Sequence, residues 1–415
     1  MRILIKNIKT LVQVEEKPRT MVIGKEMKTL PCINDAWLAI EDGLILDCGS
    51  MNDFPGITDW NNLHLIDATD KLVFPSWCDS HTHIVYAGSR EGEFVDRING
   101  LTYEEIAQRG GGILNSATKL RNTSEEELLV SAKSRISEIT SMGTGAVEIK
   151  SGYGLTVKDE LKMLRVIKKL KESSELTIKA TFLGAHAVPI EFKSNKRKYI
   201  DLLLNEMIPA VAQEKLADFC DVFCENGYFS KEETIEILEC AGKHGINGKV
   251  HAEQLSHSGG IEAGVQCNAI SVDHLEFTNE KDIELLKLSK TMPTVLPGAA
   301  FFLGLPLPPA RKMIDAGLPI AVATDYNPGS SPSGNMNFML SLLCIQYKLT
   351  PEEAINAATI NSAYAMNVER ELGSIAIGKK ANIFITKEIP SYSFIPYSFA
   401  SNQIETIILN GKIIN

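Results

Sequence analysis

The chain is predicted to be an α/β protein: a (β/α)8 TIM-like barrel carrying a small β domain assembled from both termini. Three observations lead there. Eight apolar, strand-like runs alternate with helix-like segments through the middle of the chain, at residues 73–81, 146–151, 177–186, 219–225, 246–251, 269–274, 292–297 and 319–325. Such alternation builds a parallel sheet, and eight units is the count of a closed barrel. Short β-like segments lie at both ends of the chain, and polar residues recur where the central runs stop.

The amino-terminal segment reads as strands and turns. Ala36 to Ile40, then Glu41-Asp42-Gly43, then Leu44-Ile45-Leu46 is a hairpin signal with a Gly-bearing turn. The carboxyl-terminal segment looks alike, with Ala381 to Thr386 and Thr406 to Ile413. These ends define a composite β domain of residues 1–72 and 367–415, and the barrel takes residues 73–366. Its helices carry start signals: Ser124 with Glu127, Ser230 with Glu233, and Thr350-Pro351-Glu352-Glu353. In each, a capping hydroxyl precedes a Glu three residues on. The alternative architecture is an open doubly wound sheet, which brings a Gly-rich phosphate loop after its first strand. Gly110-Gly111-Gly112 lacks that spacing and reads as a flexible loop.

A length of 415 residues suffices for one large barrel and an appendage. The net charge of −10 argues against nucleic acid or an anionic membrane as partner. No stretch approaches the roughly 20 apolar residues of a membrane span, and the amino terminus lacks a cleavable signal. The eight cysteines show no paired framework; Cys220 and Cys224 read as small buried hydrophobes. The expectation is a cytoplasmic, soluble, reduced protein acting on a small molecule.

The polar residues at the run ends carry the chemistry. His81 and His83, Tyr153, His186, Glu225, His251, His274 and Asp325 all fall at or just past the carboxyl end of a predicted strand. That end of a barrel holds the active site. In a strand, residues two apart share a face, so His81 and His83 can close on one metal ion. Imidazoles plus a carboxylate suit zinc or ferrous iron better than magnesium or calcium. Spacing alone leaves open which of His186, His251 and His274 completes the site. His64, His244 and His257 sit in the small domain, at a helix end or in a loop, and are not expected to act.

At this point the chain resembles the imidazolonepropionase family of amidohydrolases, nearly end to end. The resemblance rests on Asp79-Ser80-His81-Thr82-His83 with Ala87-Gly88-Ser89-Arg90 and Glu93-Phe94, and on Glu148-Ile149-Lys150-Ser151-Gly152-Tyr153-Gly154. It continues through Gly184-Ala185-His186, Val250-His251-Ala252-Glu253-Gln254, Val272-Asp273-His274-Leu275-Glu276 and Pro308-Pro309-Ala310-Arg311, and ends with Asp325-Tyr326-Asn327-Pro328-Gly329-Ser330. The first motif and the last Asp are common to amidohydrolases; the Arg90, Ser151-to-Gly154 and Asn327-to-Ser330 segments are more specific.

The resemblance implies opening of the 4-imidazolone-5-propanoate ring by water, giving N-formimidoyl-L-glutamate in histidine breakdown. It implies one divalent metal, Zn or Fe, held by His81, His83, His251 and Asp325, and a homodimer. His186 then becomes a substrate group. His274 and Asp325 are the candidates for proton transfer. Arg90 offers a planar fork for the propionate carboxylate, although a salt bridge to Glu91 or Glu93 would also explain it. Tyr153 follows a turn that lets its hydroxyl reach the same carboxylate. Asn327, Gly329 and Ser330 form a loop whose backbone N–H groups can meet an anionic oxygen.

Some family members carry Glu three residues after the metal-binding His; this chain has Gln254, assigned to hydrogen bonding the substrate ring. Lys150 would bridge two metals if carbamylated, but the implied site has one. Two rival readings remain. A base deaminase on the same barrel typically carries Glu where Gln254 stands, and would release ammonia. A non-catalytic amidohydrolase-like scaffold would have lost ligands, whereas all four are present.

Overall fold

The computed structural model describes residues 2–101, 105–106 and 111–414, so Gly110 of the glycine triplet lies outside the described residues. Eight parallel strands follow one another in chain order around the barrel. They are Trp77–Thr82, Thr144–Lys150, Thr177–Ala185, Phe219–Cys224, Asn247–Ala252, Ser271–His274, Met292–Val295 and Ala321–Val322. Each matches one apolar run of the sequence. Helices between them return the chain. Those opened by Ser124, Ser230 and Thr350 form the reciprocal caps their sequences encode, each hydroxyl accepting from the Glu backbone N–H three residues on.

Closure of the barrel brings distant sequence together. Thr82 bridges Tyr326 in parallel register. The Asp325 N–H donates to the His81 carbonyl at 3.0 Å, and the His83 N–H to the Tyr326 carbonyl at 2.9 Å. Just below, the buried Asp79 carboxylate accepts from the Thr324 N–H at 3.0 Å and its hydroxyl at 2.6 Å. Burial pushes that carboxyl up to about 7.

The second sheet combines both termini. Its order runs from the carboxyl-terminal strands Lys412–Ile413, Ile404–Leu409 and Ile383–Glu388 through Lys71–Pro75 to Arg2–Val12, Cys32–Glu41 and Leu44–Ser50. The hairpin turn uses Asp42 and Gly43 at φ 47° and 84°, the paired positive values that let a tight turn follow strand twist.

The strand Lys71–Pro75 spans the 72/73 boundary read from the sequence and pairs wholly within this second sheet. The handover falls at Ser76, whose N–H donates to Asn382 at 2.9 Å, while the Trp77 N–H donates to Gly143 at 2.9 Å. Phe74, Trp77 and Phe384 are fully buried across this junction, with Phe74 and Phe384 stacked at 5.1 Å and Trp77 tilted onto Phe384 at 4.9 Å. Burying each such side chain stabilises by roughly 1.5–3 kcal/mol, so the junction is a cohesive core. No helix among the described residues is long and apolar enough to cross a membrane. All eight cysteines are free thiols.

Candidate active site

Parallel strands deliver their carboxyl ends to one rim, and the rim residues converge. The His81 ring lies 5.3 Å from His83, 4.4 Å from His251 and 5.5 Å from His274, centroid to centroid. His186 stacks on His83 at 5.3 Å, and Tyr153 stands 5.9 Å from His83. Candidate ligand atoms of His81, His83 and His251 lie within 4.8 Å of one another, as do those of His81, His274 and Asp325.

The donor set fits a metal ion. Asp325 Oδ1 lies 3.6 Å from His81 Nε2 and 3.5 Å from His83 Nε2. Two ligands each about 2.1 Å from one ion at a tetrahedral angle sit about 3.4 Å apart. The Nε2 atoms of His81 and His251 are buried without a hydrogen-bond partner, an arrangement that costs free energy unless something else takes the lone pairs. Burial, followed by the Lys150 ammonium for His81 and by His186 for His83, holds both imidazoles well below the ordinary histidine range. They are therefore neutral, as ligands must be.

A layer of buried charge lies beneath the ring. Asp273 Oδ2 accepts from His81 Nδ1 at 2.6 Å, and Asp221 Oδ2 lies 3.0 Å from His251 Nδ1. The Asp273 carboxylate on His81 Nδ1 fixes the tautomer that leaves His81 Nε2 as the inward lone pair, whereas His251 Nδ1 makes no hydrogen bond despite its approach to Asp221. Lys150 Nζ sits 2.5 Å from Glu148 and 2.8 Å from Asp221, held in its charged form far above the usual range by these carboxylates despite burial. Lys249 bonds Glu148 and, at 2.9 Å, the Ser80 carbonyl. Lys150 thus stands as an ammonium among acids. None of Glu148, Asp221, Lys249 and Asp273 was a candidate from sequence, although charged residues inside apolar strand runs are the signal that marks them.

Three further carboxylates shape the loops above. Glu160 accepts from the N–H groups of Gly152 (3.1 Å), Gly154 (2.8 Å) and Leu155 (2.8 Å), fixing the turn that carries Tyr153. Glu225 accepts from the Leu255 and Ser256 N–H groups at 2.8 and 3.2 Å, tying down the segment after Gln254. Glu253, beside Gln254, is turned away and accepts from the N–H groups of Gly259, Gly260 and Ile261 at 2.9 to 3.0 Å. It does not replace the missing carboxylate at position 254.

Arg90, Tyr153, His186, Gln254, Asn327, Gly329 and Ser330 line one pocket together with His83, His251, His274 and Asp325. His186 donates Nδ1–H to the Gly152 carbonyl at 3.0 Å, which leaves Nε2 for the pocket. Burial, reinforced by His251, pulls its imidazole down to about 3. Arg90 makes the salt bridge anticipated as its alternative explanation and lines the pocket as well: Nε and Nη2 donate to Glu93 at 2.9 and 2.6 Å. The fork also packs closely against Gly329, where a Cβ would come 2.1 Å from Arg90 Nη1.

The loop after Asp325 differs in detail from expectation. The Gly329 and Ser330 N–H groups donate to Asn327 Oδ1 at 2.7 and 2.8 Å, so the Asn side chain occupies the donors expected to face an anion. The loop also braces Asp325, whose Oδ2 accepts from the Ser330 hydroxyl at 3.0 Å. His274 lies fully buried; burial lowers its pKa, but Glu276, Asp325 and Asp273 together outweigh it and hold the imidazole above its ordinary value. His257 is half exposed.

A barrel with imidazoles and a carboxylate on its rim, joined to a composite sheet, is the architecture of a metal-dependent hydrolase, and residues 72–414 match the amidohydrolase family. The chain is 57% identical over 414 residues to the imidazolonepropionase of Christiangramia forsetii, covering 100% of both chains. It is 59% identical over 411 residues to that of Flavobacterium johnsoniae, 99% of each, and 41% identical over 413 residues to that of Alkaliphilus oremlandii, 99% and 97%. The chain belongs to the imidazolonepropionase family of amidohydrolases. Among solved structures it is similar to a triazine hydrolase variant (TM-score 0.76, 15% identity, 99% of this chain and 94% of that one). It is also similar to the guanine deaminase of E. coli (TM-score 0.73, 14% identity, 100% and 99%). At such identities the likeness concerns the fold.

Proposed function

We propose that this protein hydrolyses 4-imidazolone-5-propanoate to N-formimidoyl-L-glutamate in histidine degradation. The observation that carries the reading is full-length similarity to imidazolonepropionases, of 57% over 414 residues in one case, together with an intact set of rim imidazoles. Water adds to a ring carbon, the adjacent C–N bond breaks, and the departing nitrogen takes up a proton. A divalent ion, when bound, would supply Lewis acidity and lower the pKa of water toward neutrality.

The ligands we assign are His81, His83, His251 and Asp325, supported by the 3.5 and 3.6 Å spacings and the unpartnered Nε2 atoms. Zinc or iron suits this nitrogen-rich set. His274 moves the proton, taking it from water and giving it to the leaving nitrogen, and Asp325 is the second candidate base. Arg90, oriented by Glu93, grips the propionate carboxylate with Tyr153 beside it. His186 and Gln254 hydrogen bond the imidazolone ring, and Asn327, Gly329 and Ser330 close that side of the pocket. A homodimer in the cytoplasm is part of the same reading.

Gln254 disfavours the deaminase alternative, since a neutral amide does not deliver a proton to leaving ammonia, and Glu253 is committed to three backbone donors. The reading is tested by incubating the metal-loaded protein with imidazolone propionate and following loss of its ultraviolet absorbance. Stable absorbance at high enzyme concentration contradicts it.

A further inference from the structure

The turn that follows the sixth barrel strand is strained. His274 and Leu275 adopt φ of 88° and 78°, a region that bulky L-residues rarely enter. Two such residues in succession persist where the surroundings over-determine them, and they gather at functional sites. Here the Leu275 N–H is held by the Ala252 carbonyl at 3.0 Å and the Phe277 N–H by the Glu253 carbonyl at 2.9 Å. The bend turns the side chains of His274 and Glu276 towards each other: His274 Nδ1 lies 3.7 Å from Glu276 Oε1, and the two side chains are 2% and 0% exposed.

Neither side chain is engaged in a hydrogen bond to another residue, although the unpartnered Tyr347 hydroxyl also feels the Glu276 charge. His274 Nδ1 and both Glu276 carboxylate oxygens are buried without a hydrogen bond. A buried carboxylate with no donor is among the costliest arrangements a fold can hold. His274 Nδ1 faces it at 3.7 Å, and the same residue lines the pocket. Catalytic hydrogen bonds are commonly long in ligand-free structures and tighten when substrate binds.

We infer that Glu276 is the positioning residue of His274, forming with it a His–Glu dyad. This rests on the proton-transfer role proposed above. Glu276 accepts the Nδ1 proton and so selects the tautomer whose Nε2 carries the lone pair. When Nε2 takes a proton from water, the carboxylate stabilises the imidazolium; the Nδ1 proton stays where it is, and Nε2 returns its proton to the leaving ring nitrogen. A carboxylate behind a catalytic imidazole plays this orienting part in other hydrolases.

The test is a double-mutant cycle on the metal-loaded enzyme. Glu276→Gln should lower kcat by roughly 10²-fold with KM and metal content unchanged. In the His274→Asn background the same change should alter kcat by less than about 2-fold, because its route of action is gone. Equal losses in both backgrounds, or full activity of the single variant, overturn the dyad. Glu276→Asp, which keeps the charge, gives the same two-background comparison if the Gln variant does not fold. An independent readout is the ¹⁵N signature of the His274 ring. The Nδ1–H tautomer is expected in the parent protein and lost in Glu276→Gln; an Nε2–H tautomer in the parent overturns the proposal. That measurement judges the dyad even if imidazolone propionate proves not to be the substrate.

Discussion

Asp273 Oδ2 lies 2.6 Å from His81 Nδ1, and both side chains are fully buried beneath the rim. The contact fixes which nitrogen of His81 is left to face the pocket. Asp273→Asn removes the obligate acceptor and permits the amide to donate instead, so the other tautomer becomes accessible. Metal affinity should fall by about 10–100-fold, the usual cost of losing such a partner. Chelator competition on the purified variant measures it; unchanged affinity would show that Asp273 serves the fold alone.

Arg90 is bonded to Glu93 on one side and packs closely against the backbone of Gly329. Arg90→Lys keeps the charge but loses the fork, so KM should rise while metal content stays constant. Gly329→Ala should do the same without touching the charge, because its Cβ would fall 2.1 Å from Arg90 Nη1 and push the guanidinium aside. A KM within error of the parent in both variants would remove Arg90 from the carboxylate site.

His274→Asn should keep its metal and fold but lose turnover by about 10²–10⁴-fold, the range for a general acid–base group. Gln254→Glu in that background should recover part of the loss if position 254 reaches the same proton. Near-normal turnover of the single variant with full metal would leave Asp325 as the base.

The buried imidazoles set the acid limit of stability. His186 titrates at about 3 in the folded chain against 6.5 for an unperturbed histidine. Its pKa is lowered on folding, so below about 6.5 the unfolded chain binds more protons and stability falls as pH drops. Each imidazole lowered this far should remove on the order of 1 kcal/mol between about pH 6.5 and 5.5. Denaturant midpoints of His186→Gln should therefore decline less over that interval than those of the parent. Parallel slopes would mean that His186 is protonated in the folded state.

Much of the architecture was legible because a barrel repeats one signal, an apolar run followed by a helix, and several of those helices open on capping side chains such as Ser124, Ser230 and Thr350. The rim was legible for a related reason: His81, His251, His274 and Asp325 each close such a run. The handover at Ser76 was not, since Leu72 to Phe74 and Trp77 to Thr82 are buried in different sheets with no polar break beyond Pro75-Ser76 between them. The pairing within the charge layer was also hidden, although its residues stand out as charges inside apolar runs. Lys249 meets Glu148, and Asp273 meets His81, through barrel closure across 101 and 192 residues, which no local pattern encodes. Glu276 was visible as part of a motif, yet its role depends on two positive φ angles that Leu275 gives no reason to anticipate. Asn327 shows the opposite case. Its loop lines the pocket, but its side chain turns inward to the Gly329 and Ser330 donors.

The most direct measurement follows the oxygen atom. The metal-loaded protein is incubated with imidazolone propionate in ¹⁸O-enriched water, and products are read by mass spectrometry alongside an ammonia assay. The account predicts N-formimidoyl-L-glutamate carrying one labelled oxygen per molecule, with no ammonia released. Ammonia in step with substrate loss, or a product without the label, would contradict ring opening by water.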